Sequence, residues 1–232
     1  MTLTTVLRRH PFPMAAHLRH SLVLAWALPH QVIQAQLPRG LVVDRYGDVG
    51  FVAAAMVQAE RLRPAGAPAW LGDDPFLVGW RIFARHAGPD GRRRRGLFIL
   101  RSDTDRRALV AGGNLLTRYN WRRSAIAAEV GGGRMTVRVT SAGGLADARR
   151  FAGPLPWTFD HEPETGSMVL VLGRRSQWRP EPVDVRVERC TFFDHGPLAG
   201  TRPVLANAFH VAGLDYRWER GIRVPAVQAV TS

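Results

Sequence analysis

Apolar residues in this chain cluster in short blocks that alternate with polar ones, and long stretches at helical spacing are rare. Ser21–Leu28, Leu41–Arg45, Gly50–Glu60, Phe76–Arg85 and Gly96–Arg101 are apolar or alternating, carry aromatic and β-branched residues, and are bounded by turn formers. Each reads as a strand. Ser124–Val130 and Arg134–Ser141 read as a hairpin about Gly131-Gly132-Gly133. Met168–Leu172, Val183–Phe193, Val204–Val211 and Leu214–Glu219 read as further strands, and Trp178–Pro182 is extended by its prolines.

Helical signals are few. Pro29 can open a short helix over His30–Gln36, with Val32, Ile33 and Leu37 on its buried side. Thr104–Ala111 follows a capping-box spacing from Ser102 to Asp105 and is read as stopped by Gly112-Gly113. Arg63–Pro75 and Phe151–Thr165 are proline-rich loops. Residues 1–20, rich in proline, histidine and arginine, read as an irregular arm, and 21–232 as one domain. Many short strands with Gly/Pro turns predict a mainly β (α+β) fold whose sheet closes or folds on itself, which removes exposed edges. A barrel of this size can hold one small ligand.

Composition narrows the chemistry. With 46% apolar and 22% charged residues in 232, the chain can build an ordinary core. No apolar run approaches the roughly 18 residues of a spanning helix. The single cysteine, Cys190, excludes an internal disulfide framework and reads as a buried, inert thiol. All 32 basic residues are arginines, and the net charge is +13. Without lysine, a Schiff base or a neutral lysine base is closed. The apolar stretch Ser21–Leu28 mimics a signal peptide, but it is short and no small-x-small site follows, so a cytoplasmic location is expected.

The densest cationic run, Arg92–Arg95, sits between Gly91 and Gly96 and reads as a hairpin loop, able to grip phosphate or simply solvated. The other arginines are scattered, and no nucleic-acid-binding module is recognisable, so nucleic acid is disfavoured as a partner. Arg81 is more informative. It interrupts an apolar, aromatic strand, and alternation places it inside with Gly79 and Phe83. A cation there either anchors a carboxylate, enolate or phosphate or pairs with an acid such as Glu60. Glu60, ending its strand, is a general base if burial raises its pKa, or else a paired surface acid.

The histidines form no metal motif. His17 and His20 are three apart in an irregular segment, His195 and His210 are isolated, and His210 is expected to line a pocket. Asp160-His161-Glu162 offers metal or proton chemistry, or a solvated loop. No nucleophile elbow, phosphate loop or dinucleotide fingerprint is present, and no cofactor or metal is expected.

The order of Leu28-Pro29, Leu37-Pro38-Arg39-Gly40-Leu41, Gly50-Phe51-Val52, Val78-Gly79-Trp80-Arg81-Ile82-Phe83, Gly96-Leu97-Phe98-Ile99-Leu100 and Leu115-Leu116-Thr117-Arg118-Tyr119-Asn120-Trp121 carries a resemblance. Phe192-Phe193, Ala208-Phe209-His210-Val211 and Asp215-Tyr216-Arg217-Trp218 extend it, over about Arg19 to Val224. The chain resembles the YqjF-like proteins, a family of unknown function related to acetoacetate decarboxylase. The resemblance implies an acetoacetate decarboxylase-like antiparallel β-barrel with a few short helices outside and a pocket along its axis. Those decarboxylases carry their Schiff-base lysine just after the helix that follows the central strands. Here that region, Gly113 to Arg123, has no lysine. The resemblance therefore implies the pocket and not the reaction. Tyr119 occupies the region and can act as acid or hydrogen-bond donor. Asn114, Arg118 and Trp121, with Trp80 and His210, are expected to bind ligand around it; the alternative is a turn packed by aromatics.

Three functions follow as expectations. The first is a barrel enzyme of lyase, cyclase or isomerase type, working on a small keto, enol or carboxylate compound by acid–base catalysis. The second is a non-catalytic small-molecule binder using the same pocket. The third is a polyanion binder working through Arg92–Arg95. A homo-oligomer is compatible with each.

Overall fold

The computed structural model describes residues 3–124, 128–131, 134–137, 155–187 and 190–225. In chain order, a short helix α1 (Leu3–Leu7) leads into β1 (Met14–Pro29), helix α2 (His30–Gln34), β2 (Leu41–Val43) and β3 (Val49–Pro64). There follow β4 (Phe76–Ala87), β5 (Arg93–Thr104), helix α3 (Arg107–Leu116) and β6 (Trp121–Arg123). Strands β7 (Ala128–Gly131) and β8 (Arg134–Val137) form a separate hairpin. The remainder is β9 (Trp157–Glu162), β10 (Ser167–Arg175), β11 (Glu181–Pro182), β12 (Val204–Trp218) and β13 (Ile222–Val224).

The main sheet runs β11-β12-β1-β3-β4-β5-β9-β10-β13, with β2 on β4 and β6 on β5. Strand β10 also pairs with β12, from Gly173 opposite Trp218 to Arg175 opposite Tyr216. The sheet is mixed: β5 pairs parallel with both β6 and β9. This corrects the expectation of a purely antiparallel sheet. Parallel neighbours need a long crossover, and between β5 and β9 the chain supplies one through α3 and the segment after it.

Period-two alternation gives the long strands two distinct apolar faces. On one face Leu22, Leu24, Trp26 and Leu28 pack with Val52, Ala54, Met56, Val78, Trp80 and Ile82. Val183, Val185 and Val187, together with Phe192 and Phe193 from the 3-10 turn Thr191–Phe193, cover that face. The opposite face gathers Val23, Ala25, Phe51, Ala53, Ala55, Ala59, Phe83, Phe209 and Val211, with Trp178 and Tyr216 packed against them. Its alanines keep this side shallow and leave room for long polar side chains.

Several boundaries differ from those read in the sequence. Strand β1 begins at Met14, inside the stretch read as an irregular arm, because Ala16 and Leu18 already point into the core. Helix α3 starts at Arg107 and continues through Gly112-Gly113. Gly113 is required inside the helix because a Cβ there would come 2.5 Å from the Trp121 indole. Residues 183–187 alternate, yet the pairing with β12 covers only Glu181–Pro182 and one further bond, from the Val183 amide to the Ala208 carbonyl at 3.3 Å. Strand β12 instead runs unbroken from Val204 to Trp218, through Gly213 at φ +61°. Arg93–Arg95 belong to β5 rather than to a loop tip. Of the expected hairpin and proline-rich loop, residues 125–127, 132–133, 138–141 and 151–154 lie outside the described part.

Candidate functional site

Strand β4 presents Arg81 to the alanine-rich face. Gly79, Arg81 and Phe83 share that side, while Trp80 and Ile82 point into the other core. The register between β4 and β5 slips here: Trp80 lies opposite Arg101, and Arg81 opposite Ile99. Such bulges re-aim side chains and are frequent beside functional sites. Gly79 lets the guanidinium fold back along the strand. Arg81 Nε donates to the Gly79 carbonyl at 3.4 Å, and a Cβ on Gly79 would come 2.6 Å from Arg81 Nη2.

Burial pulls the Arg81 pKa down, Tyr216 and Tyr119 push it back up, and Arg175 adds a like charge that lowers it. An arginine stays protonated through such a shift. Among the described residues no carboxylate pairs with it.

Tyr119 reaches the same space from the turn after α3. The Asn114 side chain braces that turn, donating to the Trp121 carbonyl at 2.9 Å and accepting from the Trp121 amide at 3.0 Å. The Trp121 indole donates to Thr117 Oγ1 at 3.0 Å, and Asn120 adopts φ +49°. The tyrosine hydroxyl is buried, and among the described residues none meets it at hydrogen-bond geometry. Burial raises its pKa well above the ordinary value; Asp160 and Tyr216 raise it further, while Arg81 and the nearby Thr158 side chain act weakly against them. Tyr119 is therefore a neutral phenol, with the Thr158 side chain as its polar neighbour.

Behind it stand two groups that sequence reasoning placed elsewhere. His10 Nε2 lies 3.4 Å from Asp160 Oδ2, and the His10 ring centre is 4.8 Å from that of Tyr119. Asp160, 3% exposed, also accepts from the Arg118 amide at 3.0 Å. Asp160-His161-Glu162 is thus part of strand β9 and not a solvated loop, and Glu162 is fully buried against Arg9 and Arg223. Alternation over 157–162 was the available signal, masked by the flanking prolines. His10 carried no periodic signal at all.

The other expected site residues are dispersed. Trp80 lies in the opposite core, stacked on Phe192 with ring centres 3.8 Å apart and packed beside Trp26. His210 faces away from Arg81, its Nε2 3.1 Å from His20 Nδ1. Glu60 accepts from Arg19 at 3.3 Å. Asn114 and Trp121 hold the turn, and Arg118 ties it to the Arg8 carbonyl and to Glu164. In the arginine run, Arg94 pairs with Asp90 and Arg95 with Asp44. Among the described residues, no group of three His, Cys, Asp or Glu side chains is placed to hold a metal. No helix there is long and apolar enough to cross a membrane.

The comparisons agree with this fold. A family model, DUF2071, described as an uncharacterized conserved protein, matches residues 15–179. No curated protein matches the chain by sequence. Among solved structures, acetoacetate decarboxylase from Legionella pneumophila superposes with a TM-score of 0.62 at 13% identity, over 94% of this chain and 90% of that one. An acetoacetate decarboxylase-like enzyme from Sphingomonas wittichii gives 0.57 at 18% identity, over 93% and 94%. The enduracididine biosynthesis enzyme MppR, complexed with pyruvate, gives 0.51 at 14% identity, over 93% and 91%. At these identities the likeness shows a shared fold.

Proposed function

The chain belongs to the DUF2071 family of uncharacterized conserved proteins, and from that footing we propose that it binds a small keto, enol or carboxylate compound between Arg81 and Tyr119 and transforms it without a covalent intermediate. The sheet pairings that return through β10 and β12 support reading the fold as a barrel with this space inside. Fold relatives include acetoacetate decarboxylases and an enzyme complexed with pyruvate, a small keto acid. With no lysine in the chain, an imine route is closed.

In this reading Arg81 takes the carboxylate, or the oxygen that gains charge as an enolate forms. Tyr119 donates a hydrogen bond or a proton to the carbonyl oxygen. His10, paired with Asp160, supports Tyr119 and can accept a proton. The reaction class is lyase, cyclase or isomerase chemistry beside a carbonyl. The observation that carries the reading is Arg81, a cation facing two tyrosines with no carboxylate partner among the described residues. One observation favours the alternative of a non-catalytic binder: the Tyr119 hydroxyl has no base within hydrogen-bond reach. The polyanion reading loses support because Arg94 is paired with Asp90 and Arg95 shares Asp44 with Arg85.

Thermal melts and calorimetry with pyruvate, acetoacetate and aromatic carboxylates test this. A compound at 100 times its Kd is expected to add about 2.7 kcal/mol of stability. Arg81→Met is expected to weaken that compound tenfold or more. Tyr119→Phe is expected to keep affinity and lose turnover. Undiminished affinity in Arg81→Met overturns the proposal; binding without turnover in the wild type selects the non-catalytic alternative.

A further inference from the structure

Beside the proposed interior site, the ends of β3, β10 and β12 enclose an open groove of about 430 Å³. Arg61, Arg63, Arg174, Arg175, Arg217 and Tyr216 line it. Arg174 and Arg217 lie directly opposite one another on β10 and β12. Like charges in that position repel, and a single carboxylate, Glu219, answers both, at 2.9 Å and 3.2 Å. The carboxylate of Asp215, also in the groove, is engaged by His17 at 2.9 Å. Arg63 spends its donors on backbone carbonyls of Ala67 and Arg61. Among the described residues no carboxylate pairs with Arg61, Arg63 or Arg175.

Arg175 is the most constrained of these. Its guanidinium sits 4.5 Å from the Trp178 ring centre and 5.3 Å from that of Tyr216, and Nη2 donates to the Leu155 carbonyl at 2.8 Å. Held there, its Nε and Nη1 are buried, and no partner among the described residues meets them. Native proteins rarely leave such donors unmet, so these ask for a partner. A guanidinium matches phosphate oxygens in geometry as well as charge. The groove has the volume of a small-molecule site. Its arginines converge on one hollow rather than line a track along a duplex.

We propose that this groove is a second anion site, built to take the phosphate group of a small phosphorylated compound on Arg175, with Arg61 and Arg63 at its rim. It adjoins the space between Arg81 and Tyr119, since Tyr216 lines the groove and also faces Arg81; the Arg81→Met arm below tells the two sites apart, so failure of this proposal leaves the proposed function standing.

Titration calorimetry of the full chain with inorganic pyrophosphate tests it. One-site binding is expected, weakening as sodium chloride is raised. Arg175→Gln and the exposed Arg61→Gln are each expected to weaken it about tenfold or more, and Arg81→Met to leave it within about twofold. Circular dichroism melts check folding, and Arg61→Gln keeps the test valid where Arg175→Gln fails to fold. Arg175→Lys, which keeps the charge but loses the planar fork, is expected to bind more weakly than the wild type. Absence of binding at millimolar pyrophosphate overturns the proposal, as does wild-type affinity in both Arg61→Gln and Arg175→Gln. Loss of binding in Arg81→Met alone overturns it by moving the phosphate to the interior. Stronger binding of duplex DNA than of pyrophosphate at matched charge overturns it in favour of a polyanion surface.

Discussion

Glu162 is a single residue on which the acid stability of this protein can be read. Burial alone would raise its pKa, but hydrogen bonds from Arg9, Thr165 and Arg223 outweigh it and hold the carboxyl at about 2. A folded pKa below the unfolded one gives stability that is present above pH ~4.5 and lost as pH falls toward 2. At neutral pH that is worth on the order of 3 kcal/mol. Glu162→Gln is expected to lower stability by about that amount at pH 7 and to flatten the acid limb of a urea-denaturation pH series. His20, His86 and His161 shift the same way, chiefly through burial. The unfolded chain then takes up their protons first as pH drops below ~6.5, and the melting temperature is expected to fall between pH 7 and 5.5. Of these residues, only the position of Arg81 could be read locally, as a charge set among apolar neighbours next to a glycine. The arginine partners of Glu162 lie 153 and 61 positions away in sequence, and no local pattern announces them.

At the scale of one strand, β4 serves two masters. Its even positions Val78, Trp80 and Ile82 complete one core, and its odd positions carry Gly79 and Arg81 to the opposite side. The glycine sets where the arginine rests. Gly79→Ala would place a methyl group 2.6 Å from Arg81 Nη2, and the flexible end of the arginine must swing away. That substitution is expected to cost little stability, within about 1 kcal/mol, while ligand affinity falls as far as in Arg81→Met; calorimetry beside a denaturant melt checks both. Continuous apolar runs made β1 and β3 legible, because both their faces are buried, and partial alternation with aromatic and β-branched residues made β4 so. The same signal failed at Val183, Val185 and Val187. Alternation reports which side chains face a core, and these valines face one while their backbone forms no strand beyond the single Val183 bond to Ala208. The helix boundary failed for the converse reason: Gly113 sits within α3 for the sake of Trp121, a neighbour that local reading reserves for the next turn.

Across the whole molecule, the segment before β1 acts as a clasp. Arg8 Nε donates to the Asn114 carbonyl at 2.9 Å, the His10 amide to Leu116 at 3.1 Å, and the Gly221 amide to the His10 carbonyl at 3.0 Å. Arg9 meanwhile neutralises Glu162. Removing residues 1–11 is expected to destabilise the fold by several kcal/mol, ~3–5, by leaving a buried charge half-paired, and to abolish any turnover that depends on Tyr119. A denaturant melt and an activity assay of the shortened chain check this. The mainly β class and the decarboxylase-like likeness were legible in the order of short motifs, whereas the clasp was not, because it joins residues from opposite ends of the described chain.

The pairing of β1 with both β3 and β12 also has a consequence for biosynthesis. Strand β3 leaves the ribosome soon after β1 and covers one of its edges, but the other edge is reserved for β12, from Met14 opposite Trp218 to Ala27 opposite Val204. Throughout the intervening translation a long apolar strand offers an open edge to any passing chain. The yield of native protein in a cell should therefore depend on how quickly that stretch is translated and on which chaperones attend it, even for variants whose finished fold is unchanged.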